Sequence, residues 1–218
     1  YVAKLLSSEV KWVKLGLELF TNCGPRMMSF LKDSGFKVML DLKLHDIPET
    51  VQRAATSAAL LGADMITVHC MGGPAMLKAA KRGTERWSVK VLGVTVLTSH
   101  EEADLVQIGF EPTPHKTLVY DQVYRLFRMA DVCGLDGVVC SAQEVGNLKM
   151  NTDRDLLYVT PGIRLRGADQ QDQKRIATPA YAKQEGATHV VVGRPIRDAA
   201  DPIAVAKTIR QQLETGIE

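Results

Sequence analysis

The stretch LDLKLHDIPE, residues 40–49, sets Asp41, Lys43 and Asp46 inside a run that otherwise reads as a buried strand. Side chains on a strand alternate, so Leu40, Leu42 and Leu44 share one face and Asp41 and Lys43 the other. The leucines then face covering helices, and the charged pair faces the opposite side. A buried ion without a partner costs several kcal/mol, so such charges need either compensation or a chemical use. Lys14, in the similar half-charged segment WVKLG, supplies compensation if its strand lies next to that of Asp41. The three then form an alternating Lys14–Asp41–Lys43 array, with Asp46 in the loop beyond.

Outward from this stretch, apolar segments recur along the chain: WVKLGLE (12–18), VMLDLKL (38–44), MITVHC (65–70), VLGVTVL (91–97), DGVVC (136–140), LLYVTPG (156–162) and HVVVG (189–193). Near-continuous apolar runs of this length suit parallel strands covered on both faces. Helical patterns fill the intervals. GPRMMSFLKDSG ends in a stop glycine, PETVQRAATSAALLG opens on Pro48 and closes on Gly62, and GGPAMLKAAKRG and TLVYDQVYRLFRMADVCG have the same character. This alternation predicts a single α/β catalytic domain over residues 1–218. Seven strands are one short of a (β/α)8 set, and the helix-like YVAKLLSSEV stands where a first strand would feed in. Periodicity alone leaves an open doubly wound sheet as the alternative. The glycines of VTPGIR and VVVGRP favour the barrel, whose last two strands commonly end in a phosphate cradle. The predicted class is therefore α/β, a (β/α)8 TIM barrel whose first strand is missing from these residues.

An inward-facing Lys–Asp–Lys array suits an anionic substrate that loses CO2. A substrate carboxylate beside Asp41 is repelled, while Lys43 stabilises charge developing on the adjacent carbon and then protonates it. A Schiff base on Lys43 is the competing use, but a lysine flanked by carboxylates stays charged, which weakens it.

A net charge of +2 with no long basic run gives little reason to expect nucleic acid. The cysteines Cys23, Cys70, Cys133 and Cys140 have no metal or redox spacing, which predicts free, mostly buried thiols. With no long apolar segment, no membrane span is expected, and the cytoplasm is the default location.

The signatures VKLGLELF, DLKLHDIPET, VTVLTS, GLDGVVCSAQE, VTPGIR, DQKRIATP and VVVGRPI, in this order from residue 11 to about 205, closely resemble the bacterial-type orotidine 5′-phosphate decarboxylases. The resemblance implies a homodimeric (β/α)8 barrel that converts this nucleotide to UMP and CO2 in de novo pyrimidine synthesis, with no metal or organic cofactor. It implies that Lys14, Asp41 and Lys43 form the charged array, with Lys43 the proton donor to C6. Asp46 matches an aspartate that reaches the partner's site, accompanied by Ile47 and Thr50, so each active site is shared by two chains. Thr98 matches a contact to the pyrimidine. Gln173 matches a loop glutamine bridging base and phosphate. Arg194 with the Gly193 amide, and Arg164, match phosphate contacts. Arginine is apt for this, because its planar fork makes bidentate bonds to phosphate oxygens. The family's first strand carries an ALD-type aspartate for the ribose, and an N-terminal segment bearing it is expected to be missing here.

Two other functions compete. A magnesium-dependent keto-sugar phosphate enzyme shares the D-x-K-x-x-D pattern but needs a metal-binding glutamate, for which Glu18 is the obvious candidate. A non-catalytic phosphate-binding protein has no need of the Lys14–Asp41–Lys43 array. His45 reads as turn support and His69 as a supporting residue. Tyr120, Tyr124 and Phe127, at helical spacing, read as packing.

Overall fold

The computed structural model describes residue 6 and residues 8–111, 117–167 and 174–218. The YVAKLLSSEV segment lies largely outside them. The chain divides into two compact units, Tyr1–Val94 with Ala130–Gly137, and Thr95–Met129 with Val138–Glu218.

The first unit alternates strand and helix: β1 (Trp12–Gly16), α1 (Leu17–Cys23), α2 (Pro25–Asp33), β2 (Lys37–Leu44), α3 (Pro48–Leu60), β3 (Met65–His69), α4 (Gly73–Thr84) and β4 (Lys90–Val94). Its strands are parallel and neighbour one another in chain order, with Gly16 opposite Asp41 and Met65 opposite Lys90. Fully buried Leu15, Val38, Leu40, Ile66, Val68, Val91 and Leu92 make the strands a continuous apolar layer. α3 buries Val51, Ala55, Ala58 and Ala59, one stripe at helical period. It begins at Pro48, where a missing N–H is harmless, and is followed by Gly62 at φ 82°, a left-handed position that suits glycine.

Two sequence expectations change here. The segment 12–18 is not one strand, because pairing with β2 stops at Gly16 and Leu17 and Glu18 open a helix. The acidic Glu18 in that first turn complements the helix dipole. β2 is also not regular to its end. Leu40 pairs with Ile66 and Leu44 with Val68, so four steps along β2 match two along β3. The slack is taken up as a bulge, and among the described residues Lys43, at φ 50°, is the non-glycine with a left-handed backbone. The leucines still face α3: Leu40, Leu42 and Leu44, with Ala54, Ala58 and Ile66, line an apolar cavity of about 200 Å³.

The second unit contains α5 (Glu102–Gln107), most of α6 (Leu118–Val132) and of β5 (Gly137–Val139), α7 (Ala142–Lys149), β6 (Leu157–Thr160), α8 (Pro179–Glu185), β7 (His189–Val190), α9 (Arg194–Arg197) and α10 (Pro202–Thr215). β5, β6 and β7 again follow chain order. Several helices of this unit start on side-chain caps, among them α5, where Glu101 and Asp104 form a capping box. Ser141 and Glu144 form a capping box on α7, Thr178 caps α8, and Asp201 accepts from two amides of α10. Phe127 stacks on Tyr158 at 6.4 Å in the core of this unit.

The bulge carries a stability prediction. A side chain bearing Cβ is strained at φ 50°, whereas glycine is not. Lys43→Gly is therefore expected to be more stable than Lys43→Ala by roughly 1 kcal/mol in urea unfolding, since both lose the ammonium and only alanine keeps the strain. Equal stabilities would mean that the left-handed turn is not maintained in solution.

Candidate active site

The register of the first three strands gathers the charged array. Lys14 stands on β1 two residues before Gly16, which pairs with Asp41 on β2. Its Nζ lies 3.2 Å from Asp41 Oδ2. Gly16 leaves room for this approach, because a Cβ there would lie 2.9 Å from the Lys14 nitrogen. Lys43 Nζ donates to both Asp41 oxygens, at 2.9 and 3.0 Å. The Asp41 side chain is only 8% exposed, whereas those of Lys14 and Lys43 are 36% and 30% exposed. A buried carboxylate is thus paired with the ammonium groups of two partly exposed side chains.

Burial pushes the Asp41 carboxyl upward, but the charges of Lys14 and Lys43 and hydrogen bonds from Lys43 and Thr67 outweigh it, and it ends below the usual carboxylate value. Thr67, on β3 and fully buried, donates its hydroxyl to Asp41 Oδ1 at 2.9 Å and accepts the backbone N–H of Lys43 at 2.9 Å. Sequence reasoning passed over Thr67. The available signal was a polar residue in the middle of MITVHC, a run otherwise fully apolar up to its histidine.

Beyond the bulge, Asp46, Ile47 and Thr50 are all exposed, and Asp46 Oδ1 accepts the Ile47 amide at 2.6 Å at the start of α3. Ile47 is 66% exposed. His45 and His69 stack at 5.5 Å, and His69 Nδ1 accepts the Met71 amide.

The remaining candidates belong to the second unit. Thr98 is buried, and its carbonyl accepts the Lys174 amide at 3.3 Å. Arg164 is buried, with its guanidinium donating to the Ile163 carbonyl at 2.9 Å and its backbone N–H to Ala177. Gly193 directly precedes the short helix α9, whose first residue is the half-buried Arg194. Gln173 lies outside the described residues. Arg175, like Thr67, was not foreseen. It pairs with Glu144 and donates to the carbonyls of Val96 and Leu97, at 3.0 and 3.1 Å, just before Thr98. Partners 31 and 79 positions distant leave no local trace in the sequence.

Cys70, Cys133 and Cys140 are buried free thiols and Cys23 is exposed. Burial raises Cys140 to about 12. Glu18, the one candidate for a metal-binding glutamate, is exposed in the first turn of α1. Among the described residues no group of three His, Cys, Asp or Glu side chains is arranged to hold a metal ion, and no helix is long and apolar enough to cross a membrane.

With this geometry in hand, comparison with known proteins is decisive. The profile of the orotidine 5′-phosphate decarboxylase / HUMPS family matches residues 1–209. The chain belongs to this family. It is 47% identical over 203 residues to the orotidine 5′-phosphate decarboxylase of Chromohalobacter salexigens, covering 92% of this chain and 84% of that one. It is also 47% identical over 204 residues to the enzyme of that name from Glaesserella parasuis, covering 92% and 86%. The crystal structure of orotidine 5′-phosphate decarboxylase from Lactobacillus acidophilus superposes with a TM-score of 0.81 at 41% identity, covering 93% of this chain and 87% of that one. Membership of the decarboxylase family settles the fold class as the α/β TIM-barrel type, with seven strands among the described residues.

The lowered Asp41 value gives a pH dependence with a definite sign. A carboxyl whose folded-state value is depressed stabilises the fold fully above the ordinary value of 3.8, and loses that contribution as pH falls through the lower folded-state value. Asp41→Asn should therefore show a shallower decline of stability than the parent between about pH 4 and pH 3 in urea titrations. A parallel decline in the two proteins would mean that Asp41 is not held ionised by its neighbours.

Proposed function

We propose that this chain decarboxylates orotidine 5′-phosphate to UMP and CO2 in pyrimidine synthesis, using no metal or organic cofactor. The observation that carries this reading is the buried, ionised Asp41 held between Lys14 and Lys43. The substrate carboxylate sits beside Asp41, where two like charges oppose each other, and departure of neutral CO2 relieves that opposition. The C6–carboxyl bond breaks with its electron pair left on C6. The Lys43 ammonium stabilises this carbanion-like centre and transfers a proton to it, and solvent then reprotonates Lys43. Lys43 suits the task because its side chain is partly exposed and its ammonium is already held by Asp41.

In this reading Thr98 contacts the pyrimidine, Gln173 bridges base and phosphate, and Arg164, Gly193 and Arg194 receive the phosphate. Residues 1–218 act as one catalytic domain. The protein is a cytoplasmic homodimer in which Asp46, Ile47 and Thr50 enter the partner's site. The exposure of Ile47 supports that last assignment, since an apolar side chain gains by being covered.

Loss of orotidine 5′-phosphate absorbance should proceed in the presence of EDTA. Activity abolished by EDTA and restored by Mg2+ would instead favour the metal-dependent keto-sugar phosphate branch. Lys43→Ala should lower kcat by about 10^2–10^4-fold while UMP binding stays within about tenfold of the parent; turnover within severalfold of the parent would remove Lys43 from the proton-transfer step. Mixing Asp46→Ala and Lys43→Ala chains tests the shared site. Random reassociation should restore about a quarter of the parent activity, because half of the sites in each mixed dimer are intact. No recovery would place the two residues in the same chain's site.

A further inference from the structure

We propose that Thr67 is a positioning residue for the charged array, locking the left-handed turn at Lys43 to the carboxylate of Asp41. This rests on the decarboxylase reading above, and it concerns what holds the array in its working geometry. The β2–β3 register leaves Thr67 as the one β3 residue opposite the three positions Asp41, Leu42 and Lys43, because Leu40 pairs with Ile66 and Leu44 with Val68. The surplus residues of β2 cannot all find ladder partners on β3. Thr67 resolves one of these deficits with its side chain, since its hydroxyl accepts the Lys43 N–H at 2.9 Å.

The same hydroxyl donates to Asp41 Oδ1 at 2.9 Å. An N–H can only donate and a carboxylate can only accept, so the hydroxyl hydrogen has one orientation that serves both. Thr67 is fully buried, so water does not compete for either bond. As a β-branched residue it is restricted at χ1, which fixes the oxygen more firmly than serine would. Oδ1 thus receives Thr67 and Lys43, while Oδ2 receives Lys14 and Lys43. The carboxylate plane is set from three adjacent strands. Without the hydroxyl, the backbone of Lys43 loses its anchor at the residue where φ is strained, and the ammonium it carries loses its fixed position.

The test uses Thr67→Val, which removes the hydroxyl at nearly constant shape, and Thr67→Ser, which keeps it. Two readouts are taken: kcat and KM with orotidine 5′-phosphate, and titration of the Asp41 carboxyl by carbon NMR, which needs no substrate. Thr67→Val should lower kcat by about 10–100-fold with KM changed by less than about threefold, and Thr67→Ser should recover most of the loss. The Asp41 titration should move upward in Thr67→Val and return in Thr67→Ser. An unchanged Asp41 titration in a folded Thr67→Val protein overturns the proposal, as does a serine variant no better than the valine one. If Thr67→Val fails to fold, Thr67→Ala replaces it under the same criteria. A parent protein that does not turn over orotidine 5′-phosphate refutes the proposed reaction, and the Asp41 titration alone then decides the role of Thr67.

Discussion

A carboxylate that must stay ionised while buried governs the arrangement of the first unit. Asp41 carries a desolvation cost for its buried charge, and the surrounding structure is what makes that cost tolerable. Its partners come from three consecutive strands: Lys14 from β1, Lys43 from β2 and Thr67 from β3. A slip of one residue in either pairing would turn these side chains to the opposite face and leave an unpaired ion inside. Register, charge and burial are therefore a single condition. The bulge in β2 belongs to it too, because it is the turn at Lys43 that brings that residue's amide onto Thr67 while its ammonium bonds Asp41.

The second unit solves a similar problem by other means. Glu144 is buried while closing the capping box of α7, and Arg175 neutralises it. Guanidinium geometry lets the one residue bind a carboxylate and still donate to the carbonyls of Val96 and Leu97. The chain just before Thr98 is thereby tied to Arg175, and the amide of the adjacent Lys174 donates to the Thr98 carbonyl. A lysine at position 175 could supply the charge but not this set of directed bonds.

Much of the architecture was legible. All seven apolar segments read as strands contain a strand, because burial on both faces demands unbroken Val, Ile and Leu. Helices opening on proline and followed by glycine were equally plain at Pro48 and Gly62. The family likeness carried by DLKLHDIPET and its companion motifs agrees with the match over residues 1–209. Legibility failed where the backbone leaves the ideal. Alternation predicted Asp41 and Lys43 side by side on a flat strand. They do meet, but through a bulge and a left-handed lysine. The strand drawn to residue 18 stops at Gly16 because pairing, not apolar composition, ends a strand.

What the sequence determined by itself is the alternating α/β class, the strand positions and the choice of Lys14, Asp41 and Lys43 as a charged group in an apolar setting. These follow from local pattern, since the periods of strand and helix and the cost of a buried charge can be read one segment at a time. What only the tertiary structure decided is how that charge is held. The hydroxyl of Thr67, the bulge that turns Lys43, the space left by Gly16 and the reach of Arg175 to Glu144 all depend on which strands and loops become neighbours. A hydrogen bond is satisfied by whatever lies within 3 Å or so of it, and distance along the chain says little about that.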